Sequence, residues 1–405
     1  MSQIDPASDR LSALAGIFAA TIYLIAFVAP LAAPVTGAVI GLSLYGSLWW
    51  LRRTPPALPL GLFAMLGAGI VWGLVTTLWT IDTGVTLQKS GQLFGTAVMA
   101  VVLVAAANAL PEDGRDTVRR VALWGAGLLT AATAVEGYTG LPWHQLMADL
   151  GWRDHAQPHV LNRTTLLIVL LSWPAAMAAA HLGRPLLATA LVTVSGLVPL
   201  GLDSGTAALA GLGGLAAGAA ALGLAKVAPG ALARAAAAAM VVLAPLSLVV
   251  AAKAHTWAAS HGVANNALAS LLHRFHIWDF AIRHGLERPF SGWGLGVSRA
   301  MPNFGEVPIF TGPGTDIIPL HTHNTYVQVF MELGVVGVVL LLALAALVIL
   351  RLRHWQVRDQ VCAIGLIGAV ATSWLTGFGA WQSWSIAFLA ALAFLVVAMR
   401  GRGSA

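Results

Sequence analysis

Twelve stretches of mostly apolar residues recur along this chain, near 12–30, 33–51, 58–79, 90–109, 119–137, 164–182, 185–203, 206–225, 234–254, 324–350, 360–378 and 381–399. Each approaches the length of about 20 residues that an α-helix needs to cross a bilayer. In hydrocarbon every backbone N–H and C=O must be paired within the protein, so a chain written this way spans as helices. Composition agrees: 58% of the 405 residues are hydrophobic and only 9% charged, which excludes a soluble globular protein. The expectation is an all-α polytopic membrane protein of about 12 transmembrane helices, residues 1–405 forming a single integral membrane domain. The stretch after Asp5, Asp9 and Arg10 is too long for a signal-peptide core and reads as an uncleaved first helix. The Gly- and Ala-rich segment 206–225 suits close helix–helix contact. The lone cysteine, Cys362, excludes disulfides and cysteine-based metal sites.

The basic residues orient the chain. With the N-terminus cytoplasmic, the inside segments hold 14 of the 22 Lys and Arg residues, among them Arg52, Arg115, Arg119, Arg184, Lys226, Arg234, Arg351 and Arg402. The other eight are Lys89, Arg153, Arg163, Lys253, Arg274, Arg283, Arg288 and Arg299, most of them in two long outside stretches where the positive-inside rule has least force. The net charge of +6 thus reads as loop anchoring rather than nucleic-acid binding, with both termini cytoplasmic. The outside stretches, about 138–163 and 255–323, carry ten of the twelve histidines, which places the working face outside.

The larger outside loop, 255–323, ends in His321-Thr322-His323-Asn324, at the mouth of the helix that begins near Thr325. Two imidazoles and an amide are costly where water meets hydrocarbon, so chemistry at a membrane surface is expected. Within the loop, Ala269 to Arg288 has helical spacing with Leu271, Phe275, Trp278 and Ile282 on one stripe, Arg274 at its edge, and Arg283 and His284 directed elsewhere. This predicts a short amphipathic helix resting on the membrane. The run Pro289 to Gly296 suits a tight turn whose N–H groups approach an anion, and it follows no strand, so it is not a dinucleotide fingerprint. Glu332, about two turns into the following helix, is expected to pair with an arginine of the site.

From His323-Asn324 the order continues with nine residues, Gly334, two residues and Gly337. This arrangement resembles the O-antigen ligase and O-antigen polymerase superfamily of bacterial membrane glycosyltransferases. The Arg274-Phe-His-Ile-Trp278 run, the Pro289…Gly292-Trp-Gly294 turn and the Glu332-Leu-Gly334 run are similar to it as well, so the motifs cover roughly residues 160–355. The resemblance implies a glycan donor on undecaprenyl pyrophosphate, presented at the periplasmic face of the inner membrane. The acceptor is then a sugar hydroxyl of lipid A-core (a ligase) or of a second lipid-linked glycan (an O-antigen or exopolysaccharide polymerase). It implies His323 as catalytic base, Arg274 as pyrophosphate clamp, Asn324 as an orienting residue, and His321 and Trp278 as further substrate contacts. The sugar–pyrophosphate bond is already activated, so neither a cofactor nor a metal is expected, and the partners are the glycan lipids and membrane lipid rather than nucleic acid. An arginine fork matches phosphate oxygens, and a histidine pKa suits a base near neutral pH.

One position departs from the pattern. The family's ligases carry Arg-x-x-x-Leu at the outer start of a middle helix, whereas this chain has Gly205 there, two residues after Asp203. A second such run, Arg163-Thr-Thr-Leu-Leu167, either supplies the missing cation or anchors its helix at the interface. Two other classes remain. A transporter or flippase would place charges and broken helices at mid-membrane. A zinc hydrolase on His321 and His323 would need a third ligand such as His276, His284 or Asp316.

Overall fold

A computed structural model describes residues 6–152, 158–260, 269–306, 308 and 315–401. Arg153 and Arg402 of the orientation count, and parts of both outside stretches, lie outside the described residues. Among the described residues there is no strand. Each apolar stretch falls in a helix: α1 (Pro6–Val28), α2 (Ala33–Arg52), α3 (Leu60–Val75), α4 (Thr83–Ala109), α5 (Glu112–Tyr138), α7 (Asn162–His181), α8 (Pro185–Leu197), α9 (Gly205–Val227), α10 (Leu232–Ser260), α12 (Thr325–Arg351), α13 (Val357–Thr376) and α14 (Ser383–Met399). Two more, α6 (Pro142–Asp149) and α11 (Ala269–Glu287), belong to the outside stretches.

Nine helices among the described residues are long and apolar enough to cross a membrane, fewer than the twelve expected. The other three fall short for separate reasons. The first turns of α5 carry Glu112, Asp113, Arg115, Asp116, Arg119 and Arg120. With 13 and 17 residues, α8 and α14 reach only about 20 and 25 Å at 1.5 Å per residue.

At the centre stands α7, buried on every face from Thr164 to Ala179. Against it lie α9 and α13, whose glycines allow the close approach. A Cβ on Gly365 of α13 or on Gly218 of α9 would collide with the Trp173 ring of α7. The glycine-rich segment is therefore a packing surface, as its composition suggested. Exposed Leu31, Val35, Val39, Trp124 and Leu186 present the outer apolar surface expected of a protein solvated by lipid.

Two of the orienting arginines have structural work as well. The buried Arg115 guanidinium donates to the carbonyls of Ala107 and Asn108 at the end of α4 and of Val397 and Ala398 at the end of α14. Arg119 donates to the Met399 and Arg400 carbonyls and pairs with Glu112 and Asp116. A cation at a helix C-terminus satisfies orphan carbonyls and complements the dipole.

The expected surface-resting helix is corrected by α11. Its buried residues Ile277, Trp278, Phe280, Ala281 and Ile282 wrap around the helix, and Leu271 is exposed. They form a second core with Ala251 and Ala254 of α10, Trp293 and Val297 of the following turn, and Val327 and Met331 of α12. A helix apolar over so wide an arc is clamped between neighbours, not laid on an interface. His284, expected to point away, is buried between Glu287 (2.8 Å) and Glu306 (3.3 Å), while the exposed Arg283 pairs with Asp279 and Glu306.

Candidate functional site

The site is built on the first half of α12, and α12 is broken. Gly334 has φ +65° and ψ −166°, and a Cβ there would collide with the Phe290 carbonyl. The break frees backbone groups that the Pro289–Gly296 turn takes up. Trp293 N–H donates to Met331 O (3.0 Å), Gly294 N–H to Glu332 O (2.8 Å) and Val335 N–H to Pro289 O (2.8 Å). From α3, the indole N–H of Trp72 donates to Leu333 O (3.0 Å). Irregular backbone at this depth is tolerable when it is buried in protein and re-satisfied in this way. The fixed interval from His323-Asn324 to Gly334 therefore measures the helical segment between cap and break.

At the other end of that segment Asn324 is the N-cap. Its Oδ1 accepts from Tyr326 N–H (3.0 Å) and Val327 N–H (3.2 Å), so its acceptor holds the helix start. Just before it, Thr322 is pinned: its carbonyl accepts the Trp278 indole N–H at 2.8 Å, which commits the donor of that tryptophan to the loop. His323 has φ +57°, left-handed backbone that a residue with a Cβ holds only at a cost of about 1–3 kcal/mol. This conformation sets the two imidazoles 4.1 Å apart between ring centroids.

The two rings have opposite tautomers. His323 Nδ1 lies 3.2 Å from the Gly377 carbonyl, which can only accept, so Nδ1 carries the proton and Nε2 the lone pair. His321 Nδ1 accepts the His323 backbone N–H at 3.1 Å, so its proton sits on Nε2. Burial, then the neighbouring His323 and the Arg274 guanidinium, lowers the pKa of His321 to about 3. Burial and Arg274 lower that of His323 to about 4, against a smaller upward pull from the Gly377 carbonyl. Both rings are neutral at pH 7. They offer one acceptor and one donor side by side.

The same electrostatics put Arg274 beside both histidines. It is half-buried and its own pKa is lowered by desolvation. Among the described residues it has no carboxylate partner: nearby Asp279 is taken by Arg283 and Glu287 by His284. Arg163 sits elsewhere, in the first turn of α7 with its guanidinium 5.9 Å over the Trp384 ring. Trp384 packs at 4.8 Å on Phe378, the neighbour of Gly377, so Arg163 reaches the His323 contact loop through two aromatic rings. Gly205 opens α9 with free space where a Cβ would lie. The next residue, Thr206, donates to the Thr376 carbonyl at 2.8 Å, so this helix start does border the site.

Glu332 does not pair with an arginine among the described residues. Its carboxylate accepts from the backbone N–H groups of Gly296 (2.5 Å) and Ser298 (3.2 Å), the Ser298 hydroxyl, the Gln328 amide (2.9 Å) and the Trp381 indole (2.5 Å). The glycine turn thus does present N–H groups to an anion, and the anion is this carboxylate. Reading the sequence missed Gly377, Trp381 and Gln328, which lie on or hold the α13–α14 connection. It also missed Arg299, whose charge bears on His321. Its one signal was its place among the eight outside cations. No group of three or more His, Cys, Asp or Glu side chains converges as a metal site among the described residues. The His276 ring packs on His255, and His284 is held by carboxylates.

The fold and the site define a polytopic helical membrane protein with a neutral histidine pair and a cation at one end of the bundle, similar to the O-antigen ligase superfamily that its motif resembles. A sequence profile of the family described as O-antigen ligase matches residues 188–342, from α8 through α12. That span holds Arg274, Trp278, His321, His323, Asn324 and Glu332, but neither Arg163 nor the Gly377 loop. Relatives named "Putative polysaccharide ligase" share the similarity. One from Rickettsia conorii is 28% identical over 125 residues, 29% of this chain and 29% of that protein. One from Rickettsia typhi is 26% identical over 137 residues, 31% and 32% of the two chains. The match spans under a third of the length of these curated relatives.

Proposed function

We propose that this chain is an O-antigen ligase-like glycosyltransferase. In this reading it moves a glycan from undecaprenyl pyrophosphate to an acceptor sugar hydroxyl at the periplasmic face of the inner membrane, with both termini cytoplasmic. Residues 1–405 act as one membrane domain, with 255–323 as its large outer loop. The observation that carries the reading is the pairing of a bare His323 Nε2 with an Arg274 guanidinium that has no carboxylate partner among the described residues. A base and an anion receptor lie close enough for the guanidinium charge to act on the imidazole.

The acceptor O–H gives its proton to His323 Nε2 as its oxygen bonds the anomeric carbon. The bond from that carbon to the pyrophosphate oxygen breaks, and the bond electrons leave on undecaprenyl pyrophosphate. Arg274 stabilises that charge through the planar fork that matches phosphate oxygens. The Nε2–H of His321 is a second donor, aimed at a phosphate or sugar oxygen. Asn324 and Trp278 act by holding the loop, and Arg163 supplies positive charge at the rim. The left-handed backbone of His323 supports the reading, because strain of this kind collects at functional positions.

A defined oligosaccharide on undecaprenyl pyrophosphate, incubated with purified protein in the presence and absence of lipid A-core, tests this. Transfer to the core is expected. Growth of the lipid-linked glycan instead would assign a polymerase, and substrate uptake into vesicles without any transfer would remove the enzyme reading.

A further inference from the structure

We propose that Glu332 is the positioning residue for His323, holding through Trp381 and Gln328 the connection whose Gly377 carbonyl fixes the tautomer of that histidine. The proposal rests on His323 being the base. Glu332 is fully buried near the second turn of α12 and hydrogen-bonds neither histidine. What it touches is the support of the site. One carboxylate oxygen accepts the Trp381 indole N–H (2.5 Å), and the other accepts the Gln328 amide (2.9 Å). The Gln328 carbonyl oxygen in turn accepts the Ala380 backbone N–H (2.9 Å). Two arms from one carboxylate thus grip adjacent residues, Ala380 and Trp381.

That connection does two things for the histidines. At Gly377 its carbonyl lies 3.2 Å from His323 Nδ1. At Gly379 it approaches His321 so closely that a Cβ would press on the His321 Cβ at 2.9 Å. Without a fixed Gly377 carbonyl, nothing favours the proton on Nδ1, and Nε2 keeps its lone pair only part of the time. The remaining Glu332 acceptors go to Gly296 and Ser298, next to Arg299. The carboxylate therefore ties the cationic turn, the base loop and the α13–α14 connection to one point. An outer partner that sets a histidine tautomer by such a bond is a known device of active sites.

Trp381→Phe removes one N–H and keeps an aromatic ring, though a smaller one; Gln328→Met removes the other arm. For either variant we expect kcat for glycan transfer to fall roughly 10- to 100-fold with the KM for the lipid-linked donor unchanged. In 15N-histidine spectra the wild-type protein should show His323, assigned by its loss in His323→Asn, as the neutral Nδ1–H form, and both variants should shift it toward Nε2–H. A folded variant, judged by thermal midpoint, that keeps wild-type kcat and the Nδ1–H signal would overturn the proposal. So would a wild-type protein whose His323 is already Nε2–H, which decides the matter even if the variants fail to fold. Absence of transfer by the wild-type protein removes the glycosyltransferase reading itself; transfer by wild type together with undiminished variants removes only the role of Glu332.

Discussion

His323 and His321 are adjacent in space, His321 buried and His323 half-buried, yet their hydrogen bonds give them opposite chemistry, and substitution should separate them. His323→Ala is expected to lower transfer by about 10²–10⁴-fold, the usual contribution of a general base. His321→Ala should chiefly raise the donor KM, because it loses a donor and no proton acceptor. Arg274→Lys should also impair transfer, since a point charge cannot reproduce a bidentate fork. The pH dependence follows from the lowered pKa. His323 is active when neutral, so kcat/KM should stay flat through neutrality and fall only as pH drops toward about 4. Bound pyrophosphate brings negative charge beside Arg274 and raises the histidine pKa, so the acidic limb of kcat should sit at higher pH than that of kcat/KM. Coincident limbs would remove His323 from the proton transfer. The candidate residues His321, His323, Asn324 and Arg274 were legible because polar groups stand out against an apolar chain. The partner that defines the base was not: Gly377 lies 54 residues further on and contributes only a carbonyl, which no side-chain pattern announces.

At the scale of the element, α12 reads in sequence as one long apolar helix and folds as two, joined at Gly334. Two conditions meet there, a positive φ and a Phe290 carbonyl where a Cβ would stand. Gly334→Ala therefore faces about 1–3 kcal/mol of backbone strain before the collision is counted, and a marked loss of folded protein and of thermal midpoint is expected. Gly223→Ala of α9, where a Cβ meets open space, serves as the control and should leave both near wild type. Equal behaviour of the two would mean that the break is dispensable. The spacing of the motif was visible beforehand, but its physical meaning was not, because it depends on a turn some 40 residues upstream re-pairing the freed groups. The surface-resting expectation for α11 failed for a related reason. The stripe through Leu271, Phe275, Trp278 and Ile282 excludes Ile277, Phe280 and Ala281, whose burial takes up a wider arc of the helix.

On the scale of the whole molecule, the helices carry the site and the basic loops at opposite ends. At the site end α9 begins, where Thr206 bonds Thr376 next to the His323 contact, and its 23 residues carry the chain about 34 Å to Lys226. Likewise α12 begins at Asn324 and ends at Arg351, followed by Arg353 and Arg358 before α13 returns toward Gly377. The end away from the histidines is thus the one rich in Lys and Arg, and the proposed orientation, which follows the positive-inside rule, puts that end in the cytoplasm. The chain is convenient for testing this because Cys362 is its sole cysteine. In a Cys362→Ala background, Ala300→Cys places a thiol at an exposed position beside Arg299, and Gly230→Cys places one in the exposed α9–α10 connection at the far end. A membrane-impermeant maleimide added to intact spheroplasts should label the first and reach the second only after permeabilisation. The reverse pattern would turn the site toward the cytoplasm, where a donor facing the periplasm is out of reach, and would end the proposed reaction on topology alone.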